Sequence, residues 1–187
     1  MRTITAHLFS SLDGVVDNPG VFQHGAFGEE EGEAMGASLA NVTDVVLGRR
    51  IYEEWAEYWP NNPGDGFDEF INPIPKHVAS RTLKDPLEWE SSSVIDGDLL
   101  DFVRELKRGE GGDVSVNGIS VIAQLLAAGL LDTLWVTIHP VVAGQGKRLS
   151  DVLADEVRLE LVEGRTTPAG NAMLTYRPRV EKVLGRD

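Results

Sequence analysis

No cysteine occurs among the 187 residues. That excludes a disulfide framework, thiolate metal sites and a thiol nucleophile, and it agrees with a reducing compartment. No apolar run approaches the roughly 20 residues of a membrane span. The N-terminal stretch MRTITAHLFSSLDG has no charged segment leading into a long apolar one, so a cytoplasmic protein is expected. Basic residues are scarce: 17 Lys and Arg against 30 Asp and Glu leave a formal charge of −13. Nucleic acid and anionic membrane are therefore excluded as partners, because binding either requires clustered cations to neutralise phosphates.

The scarcity is uneven. From Thr3 to Gly48 there is not one Lys or Arg, whereas Asp13, Asp17, Glu29, Glu30, Glu31, Glu33 and Asp44 all fall there. Arg49, Arg50, Lys76, Arg81 and Lys84 then follow. Three motifs are also missing. No Gly-x-Gly-x-x-Gly follows the first β-like run, which argues against a Rossmann domain. His7, His24, His77 and His139 are scattered without metal-ligand spacing. Ser120 has no Gly-x-Ser-x-Gly elbow around it, so a hydrolase nucleophile is not expected there.

With 42% apolar residues, residues 1–187 are expected to form a single domain with one core. Thr3 to Phe9 alternates in strand fashion and breaks at Ser11-Leu12-Asp13-Gly14. Glu29 to Val42 reads as a helix with an acidic, solvated start, weakened by roughly 1 kcal/mol at each of Gly32 and Gly36. Asp44 to Gly48 is a short strand, and Arg49 to Trp55 a short helix. Ala56 to Pro75 is broken by prolines and glycines, but its Trp59, Phe67 and Phe70 favour a folded lid or pocket wall over disorder.

Lys76 to Ser80 is a further strand. Leu99, Phe102, Val103 and Leu106 mark a helix with a candidate N-cap at Asp98, followed by the basic Lys107 and Arg108 and by Gly109. Asp113 to Val116 leads through Asn117-Gly118 into a helix running to Gly129. Thr133 to His139 is a strand stopped by Pro140. Val157 to Glu163 and Ala172 to Arg177 form a closing antiparallel hairpin. Alternating β and α elements with a β ending predict a mainly parallel, helix-covered α/β sheet with an antiparallel edge.

Three strand-to-helix or strand-to-loop turns carry the functional signal, since ligands of open α/β sheets bind at carboxyl strand ends. Gly118, between Asn117 and Ile119-Ser120, lets backbone approach a ligand, and the following helix start can hold a pyrophosphate. A tight turn that needs glycine is the competing reading of that position. Gly48-Arg49-Arg50 and Ser80-Arg81-Thr82 supply guanidinium forks and hydroxyls suited to a phosphate monoester. A monoester distinguishes NADPH from NADH, so NADPH is the expected cofactor. Asp13 is the candidate for contacting or protonating a substrate, as a carboxylate whose pKa a cleft could raise; Asp13-Gly14 is equally an ordinary turn pair.

The segments Ser11-Leu12-Asp13-Gly14, Leu47-Gly48-Arg49-Arg50-Ile51-Tyr52-Glu53, Lys76-His77-Val78-Ala79-Ser80-Arg81-Thr82-Leu83, Gly129-Leu130-Leu131-Asp132 and Pro140-Val141-Val142-Ala143-Gly144-Gln145-Gly146-Lys147-Arg148-Leu149 resemble the bacterial dihydrofolate reductase-like proteins related to the riboflavin-biosynthesis reductase (RibD C-terminal) domain. The resemblance covers nearly the whole chain. It implies a three-layer fold around a mixed, mostly parallel sheet of about eight strands, NADPH across the strand ends, a small heterocyclic substrate such as a pterin or pyrimidine, and often a homodimer. It places Gly48, Arg49 and Arg50 on the adenosine side, Ser80 and Arg81 at the 2′-phosphate, and Gly118 with its helix at the pyrophosphate. The chain departs from the pattern at Ile119, where a second small residue is common, and at Ser150, where an aromatic is usual. An NADPH-dependent reductase is the resulting expectation, and a nucleotide-binding protein on the same fold without turnover is the alternative.

Overall fold

The computed structural model describes residues 1–23, 25–64 and 66–179. Eight strands form one sheet: β1 (Ile4–Ser11), β2 (Val42–Gly48), β3 (Lys76–Ala79), β4 (Ser92–Val94), β5 (Asp113–Asn117), β6 (Thr133–His139), β7 (Leu159–Thr166) and β8 (Ala172–Pro178). Their order is β4-β3-β2-β5-β1-β6-β8-β7. The first six are parallel, and β8 runs antiparallel to both β6 and β7. The helices are α1 (Gly20–Gln23), α2 (Glu29–Leu39), α3 (Arg49–Tyr58), α4 (Phe67–Ile71), α5 (Leu99–Arg108) and α6 (Ile119–Ala127).

Where local chemistry is strong, the elements lie where the sequence places them. Asp98 caps α5 by accepting from the amides of Leu100 (2.9 Å) and Asp101 (3.2 Å), and Lys107 and Arg108 end it; such a cap is worth about 1 kcal/mol. Helix α2 stops at Leu39 because Val42 is drawn into the sheet opposite Asp113. Strand β4 is not among the strands read from the sequence, because its three residues are too few to show a period.

The stretch after Trp55 is folded. α3 continues to Tyr58, a 3₁₀ turn covers Trp59–Asn61, and α4 follows. Phe67 sits between Trp55 (5.6 Å between ring centroids), Trp59 (4.8 Å) and Phe70 (5.6 Å). The buried Lys76 ties this segment down by donating from Nζ to the carbonyls of Ile71 (3.0 Å), Asn72 (2.7 Å) and Ile74 (2.9 Å), with its ammonium 4.4 Å from the centre of the Trp89 ring.

The register sorts the sheet into two unlike faces. One presents Val46, Val114, Val116, Ile4, Ala6 and Leu134 and is sealed by Val103 of α5 and Val121, Ile122 and Leu125 of α6. The other is apolar only toward β2 and β3, where Val45, Leu47 and Val78 meet Tyr52 and Ile71. On that same face the central strands carry Ser115 and Asn117 of β5, Thr5, His7 and Phe9 of β1, and Trp135, Thr137 and His139 of β6. Burying a Val, Leu or Ile side chain contributes about 1.5–3 kcal/mol. A central sheet face filled with hydroxyls, an amide and imidazoles forgoes that gain, so this strip is organised for something other than core packing.

Candidate nucleotide and substrate site

Strand β2 ends at Gly48 and β5 ends beside Gly118, and the two glycines are packed against each other. A Cβ on Gly118 would lie 3.2 Å from the Gly48 nitrogen and 3.3 Å from its Cα, and Gly118 has φ +108°. Glycine is therefore required twice over, by the backbone conformation and by the close approach. Gly118 caps α6, and its carbonyl accepts from the amides of Val121 and Ile122, both at 3.0 Å. The amides of Ile119 and Ser120 begin the helix and have no acceptor within it. Ile119 is half-buried and belongs to neither apolar cluster.

Because Gly48 pairs with Ala79, Ser80 lies one residue past the same sheet edge. Its hydroxyl accepts from the amides of Leu83 (2.9 Å) and Thr82 (3.2 Å), which shapes the Ser80-Arg81-Thr82 turn. Arg81 is exposed and has no ion-pair partner among the described residues. Arg49 and Arg50, at the start of α3, are paired. Arg49 holds Glu53 through both carboxylate oxygens at 2.9 Å, while Arg50 holds Glu54 at 2.8 Å and reaches Asp17 at 3.6 Å. Glu54 first, then Asp17, raise the Arg50 pKa. All three turns thus share one edge, and the two arginines are held in exposed pairs of the kind worth about 0.3–0.5 kcal/mol each.

Asp13 is placed differently from expectation. Its carboxylate accepts from Ser11 Oγ (2.7 Å), the amides of Ala143 (2.8 Å) and Gly144 (2.9 Å), and Arg148 Nη2 (2.8 Å). The Ser11 hydroxyl, then the Ala143 and Gly144 amides with Arg148, hold its pKa well below the ordinary carboxylate range. The raised pKa anticipated for a proton donor is thereby corrected: every contact favours the anion. Asp13 instead clasps the loop after β1 to the loop after β6. The clasp is completed by the amides of Leu12 to Val141 O (2.8 Å) and Val16 to Lys147 O (2.9 Å).

A second correction concerns Glu31. Expected on a solvated helix start, it is 1% exposed. It accepts from Gly28 N (2.9 Å) and from Asn171 Nδ2 (2.6 Å). Burial works to raise its pKa, but hydrogen bonds from Thr167, Asn171 and Gly28 bring it down to about 2. The signal was present in the sequence as a glutamate three residues past Gly28, where a capping box places it. Beside it, the fully buried His139 packs under Phe22 (5.8 Å) and Phe9 (6.0 Å). Burial pushes its pKa down, against the pull of Asn171 and Glu31. His24 lies outside the described residues.

Phe22 also lines a cavity of about 400 Å³ between the two clasped loops, together with Val15, Asp17, Val21, Val141 and Gln145. A larger groove of about 940 Å³ runs along the outer face of α3 between Tyr52, Ala56, Leu83 and Trp89. The first adjoins the polar strip through Phe22; the second is walled by the folded segment after Trp55.

The family model for the RibD C-terminal domain matches residues 2–173. This chain belongs to that family. Among relatives of the RibD C-terminal family, the uncharacterized protein YyaP of Bacillus subtilis (strain 168) is 28% identical over 144 residues, 74% of this chain and 75% of that protein. The fold matches a putative riboflavin biosynthesis protein from Shewanella sp. PV-4 with a TM-score of 0.76 at 20% identity, over 95% of this chain and 99% of the other. It also matches dihydrofolate reductase from Enterococcus faecalis complexed with NADP(H) and RAB-propyl, with a TM-score of 0.60 at 16% identity, over 95% and 96% of the two chains. These likenesses establish a dihydrofolate reductase-like fold of eight mixed strands with helices on both faces. In the RibD C-terminal family member described here, no helix among the described residues is long and apolar enough to cross a membrane.

Proposed function

We propose that this protein is an NADPH-dependent reductase of a small, planar substrate. The observation that carries the reading is the meeting of Gly48 with Gly118 at an edge that also presents Arg49, Arg50 and Arg81. The close packing of Gly118 on Gly48 fixes the turn at the start of α6, and the free amides of Ile119 and Ser120 open the positive end of that helix, which suits a pyrophosphate. Arg81, with Ser80 and Thr82 shaping its turn, is free to take a phosphate monoester, and Arg49 and Arg50 have only weak exposed pairs to exchange. When bound, NADPH supplies hydride from its nicotinamide ring. The residues of this chain supply the rest. Gly48, Asn117, Gly118, Ile119 and Ser120 would hold the dinucleotide, the clasp at Asp13 fixes the loops beside it, and the polar strip of β5, β1 and β6 receives the substrate.

A second reading, a nucleotide-binding protein without turnover, is favoured by one observation: the carboxylates of Asp13 and Glu31 are both engaged and neither is available as an acid. A homodimer belongs to the first reading, since β7 at the sheet edge leaves Leu161 and Val162 more than half exposed; a monomer by light scattering at working concentration removes that part. The test of the whole is calorimetric titration with NADPH and NADH. Tight NADPH binding with much weaker NADH is expected, and no binding of either removes the reductase.

A further inference from the structure

The groove outside α3 has no part in the reductase reading. At about 940 Å³ it lies within the roughly 300–1,000 Å³ of ordinary ligand sites. One wall is α3 with the turn at Trp59–Asn61, and the other is the chain from Leu83 to Glu90 between β3 and β4. Both walls are held from behind. Trp89 donates from its amide to Tyr52 Oη (3.4 Å) and from Nε1 to Asn72 Oδ1 (3.0 Å), with the Lys76 ammonium against its ring. Asp85 Oδ1 accepts from the Val94 amide (2.9 Å), and the Ser80 hydroxyl accepts from that of Leu83 (2.9 Å). The groove is therefore preformed, and an occupant has little to order on binding.

Its floor is apolar. Ala56, Leu83 and Leu87 are the half-buried fringe of the second core cluster, with the buried Tyr52 and Trp89 beside them. Its rim is acidic. Glu53 and Glu57 stand one turn apart on α3, about 6 Å along its axis, and Glu88 and Glu90 line the other wall, where Lys84 is the single cation. Glu53 is held by Arg49. Glu57, Glu88 and Glu90 are exposed and have no ion-pair partner among the described residues. Glu90 acts on the buried Lys76, whose charged form it favours, whereas Glu57 and Glu88 serve no ion pair within the described chain.

We infer that this groove docks a short basic segment of another protein, with its apolar side chains on Ala56, Leu83 and Leu87 and its lysines or arginines on Glu57, Glu88 and Glu90. Charge selects the occupant. A second copy of this chain carries a formal charge of −13 and would meet a rim of its own sign. Nucleotides and anionic lipid surfaces are repelled in the same way. A bare metal ion would leave the floor uncovered, and no cluster of acidic and histidine side chains among the described residues is placed to hold one. In an extended segment, alternate side chains face the floor, and long basic stems can lie over apolar surface while their charges reach the rim. Because Glu53 shares that rim, a docked cation competes with Arg49 for it and releases Arg49 toward the nucleotide-binding edge. That consequence, unlike the docking, rests on the reductase reading.

The probe is a capped peptide of three Lys-Leu repeats, titrated calorimetrically into the full chain, with a Lys-Gly peptide of equal charge and spermine as comparators. The Lys-Leu peptide is expected to bind about tenfold more tightly than either, and to weaken as salt rises. Glu57→Gln combined with Glu88→Gln should weaken it about fivefold. Removing two carboxylates elsewhere, by Glu29→Gln with Glu33→Gln, should leave it within about twofold. Ala56→Arg, which sets a long cation in the groove, should abolish binding. Thermal melts accompany every variant, and the exposed Glu57 and Glu88 carry the test if Ala56→Arg unfolds. Equal affinity for all three ligands, tighter binding of spermine, equal losses in the groove and α2 variants, or no binding of the Lys-Leu peptide overturns the inference. Saturating peptide should tighten NADPH about twofold in the natural protein and not in Glu53→Gln. Groove-dependent peptide binding that leaves NADPH affinity unchanged supports the docking site and removes the link through Arg49. The same peptide binding in a protein that takes up no NADPH supports the docking site and removes the reductase reading.

Discussion

Arg81→Ala is the sharpest probe of the phosphate-binding edge, because Arg81 alone of the three arginines gives up no partner on binding. A guanidinium hydrogen bond to an anionic acceptor contributes about 1.5–3 kcal/mol, which is roughly a ten- to hundredfold change in affinity. The full amount should be lost for NADPH and almost none for NADH, which lacks the monoester. Arg49 must first leave Glu53, a bidentate contact at 2.9 Å between side chains about half exposed. That exchange costs about 0.3–0.5 kcal/mol, so Arg49→Ala should lose about twofold less than Arg81→Ala. Glu53→Gln, which frees Arg49 in advance, should tighten NADPH by a similar factor. Calorimetric titrations of both cofactors at two salt concentrations measure all of this, since a phosphate contact weakens as salt rises. Equal losses for NADPH and NADH in Arg81→Ala would refute the monoester assignment. An unchanged NADPH affinity would move the phosphate away from this turn.

Gly118→Ala should be destabilising by about 1–3 kcal/mol from its positive φ alone, with crowding against Gly48 added; urea unfolding and NADPH titration together should show both stability and binding reduced. Glu31 has a folded pKa of about 2 against 4.5, so it contributes stability above pH 4.5 that is lost as pH falls toward 2. That contribution is on the order of 3 kcal/mol at neutral pH, and acid-melting curves of Glu31→Gln should be flatter over this range than those of the natural protein. Lys76 has a folded pKa lowered to about 8 from 10.5 by burial, against Glu90. The unfolded chain therefore holds a proton longer, and stability should rise from pH 8 to 10.5 relative to Lys76→Met. A pH-independent difference in chemical denaturation would mean that the three carbonyls around its ammonium fully offset burial. Gly146→Ala would bring a Cβ to 2.4 Å from Val15 Cγ1 at φ +124°, so it should loosen the Asp13 clasp and raise amide exchange at Ala143 and Gly144.

The three glycine- and arginine-bearing turns are legible in the chain because each follows a β-branched run and the motif is contiguous. Asp98 and Lys107-Arg108 mark α5 for the same reason: caps and dipole partners act over a single turn. The misplaced residues are those whose partners are remote. Asp13 reads as a cleft acid because its local partner is only the Ser11 hydroxyl, whereas the rest of its environment is Ala143, Gly144 and Arg148, more than a hundred residues away. Glu31 reads as solvated because it stands in an acidic run; its spacing from Gly28 is the one local signal, and its burial is decided by Asn171 beside the last hairpin.

By itself, then, the sequence determines the periodicities, the turns and the charge asymmetry, all carried by residues within a few positions of one another. It also dictates that the segment from Thr3 to Gly48 brings no Lys or Arg. The tertiary structure decides which strands become neighbours, and register follows from that. Inserting β5 between β2 and β1 packs Gly48 on Gly118 and aligns Ser115, Thr5, His7 and Thr137 along one face. No local propensity encodes this, because a side chain's face and its partners depend on pairing between segments far apart in the chain.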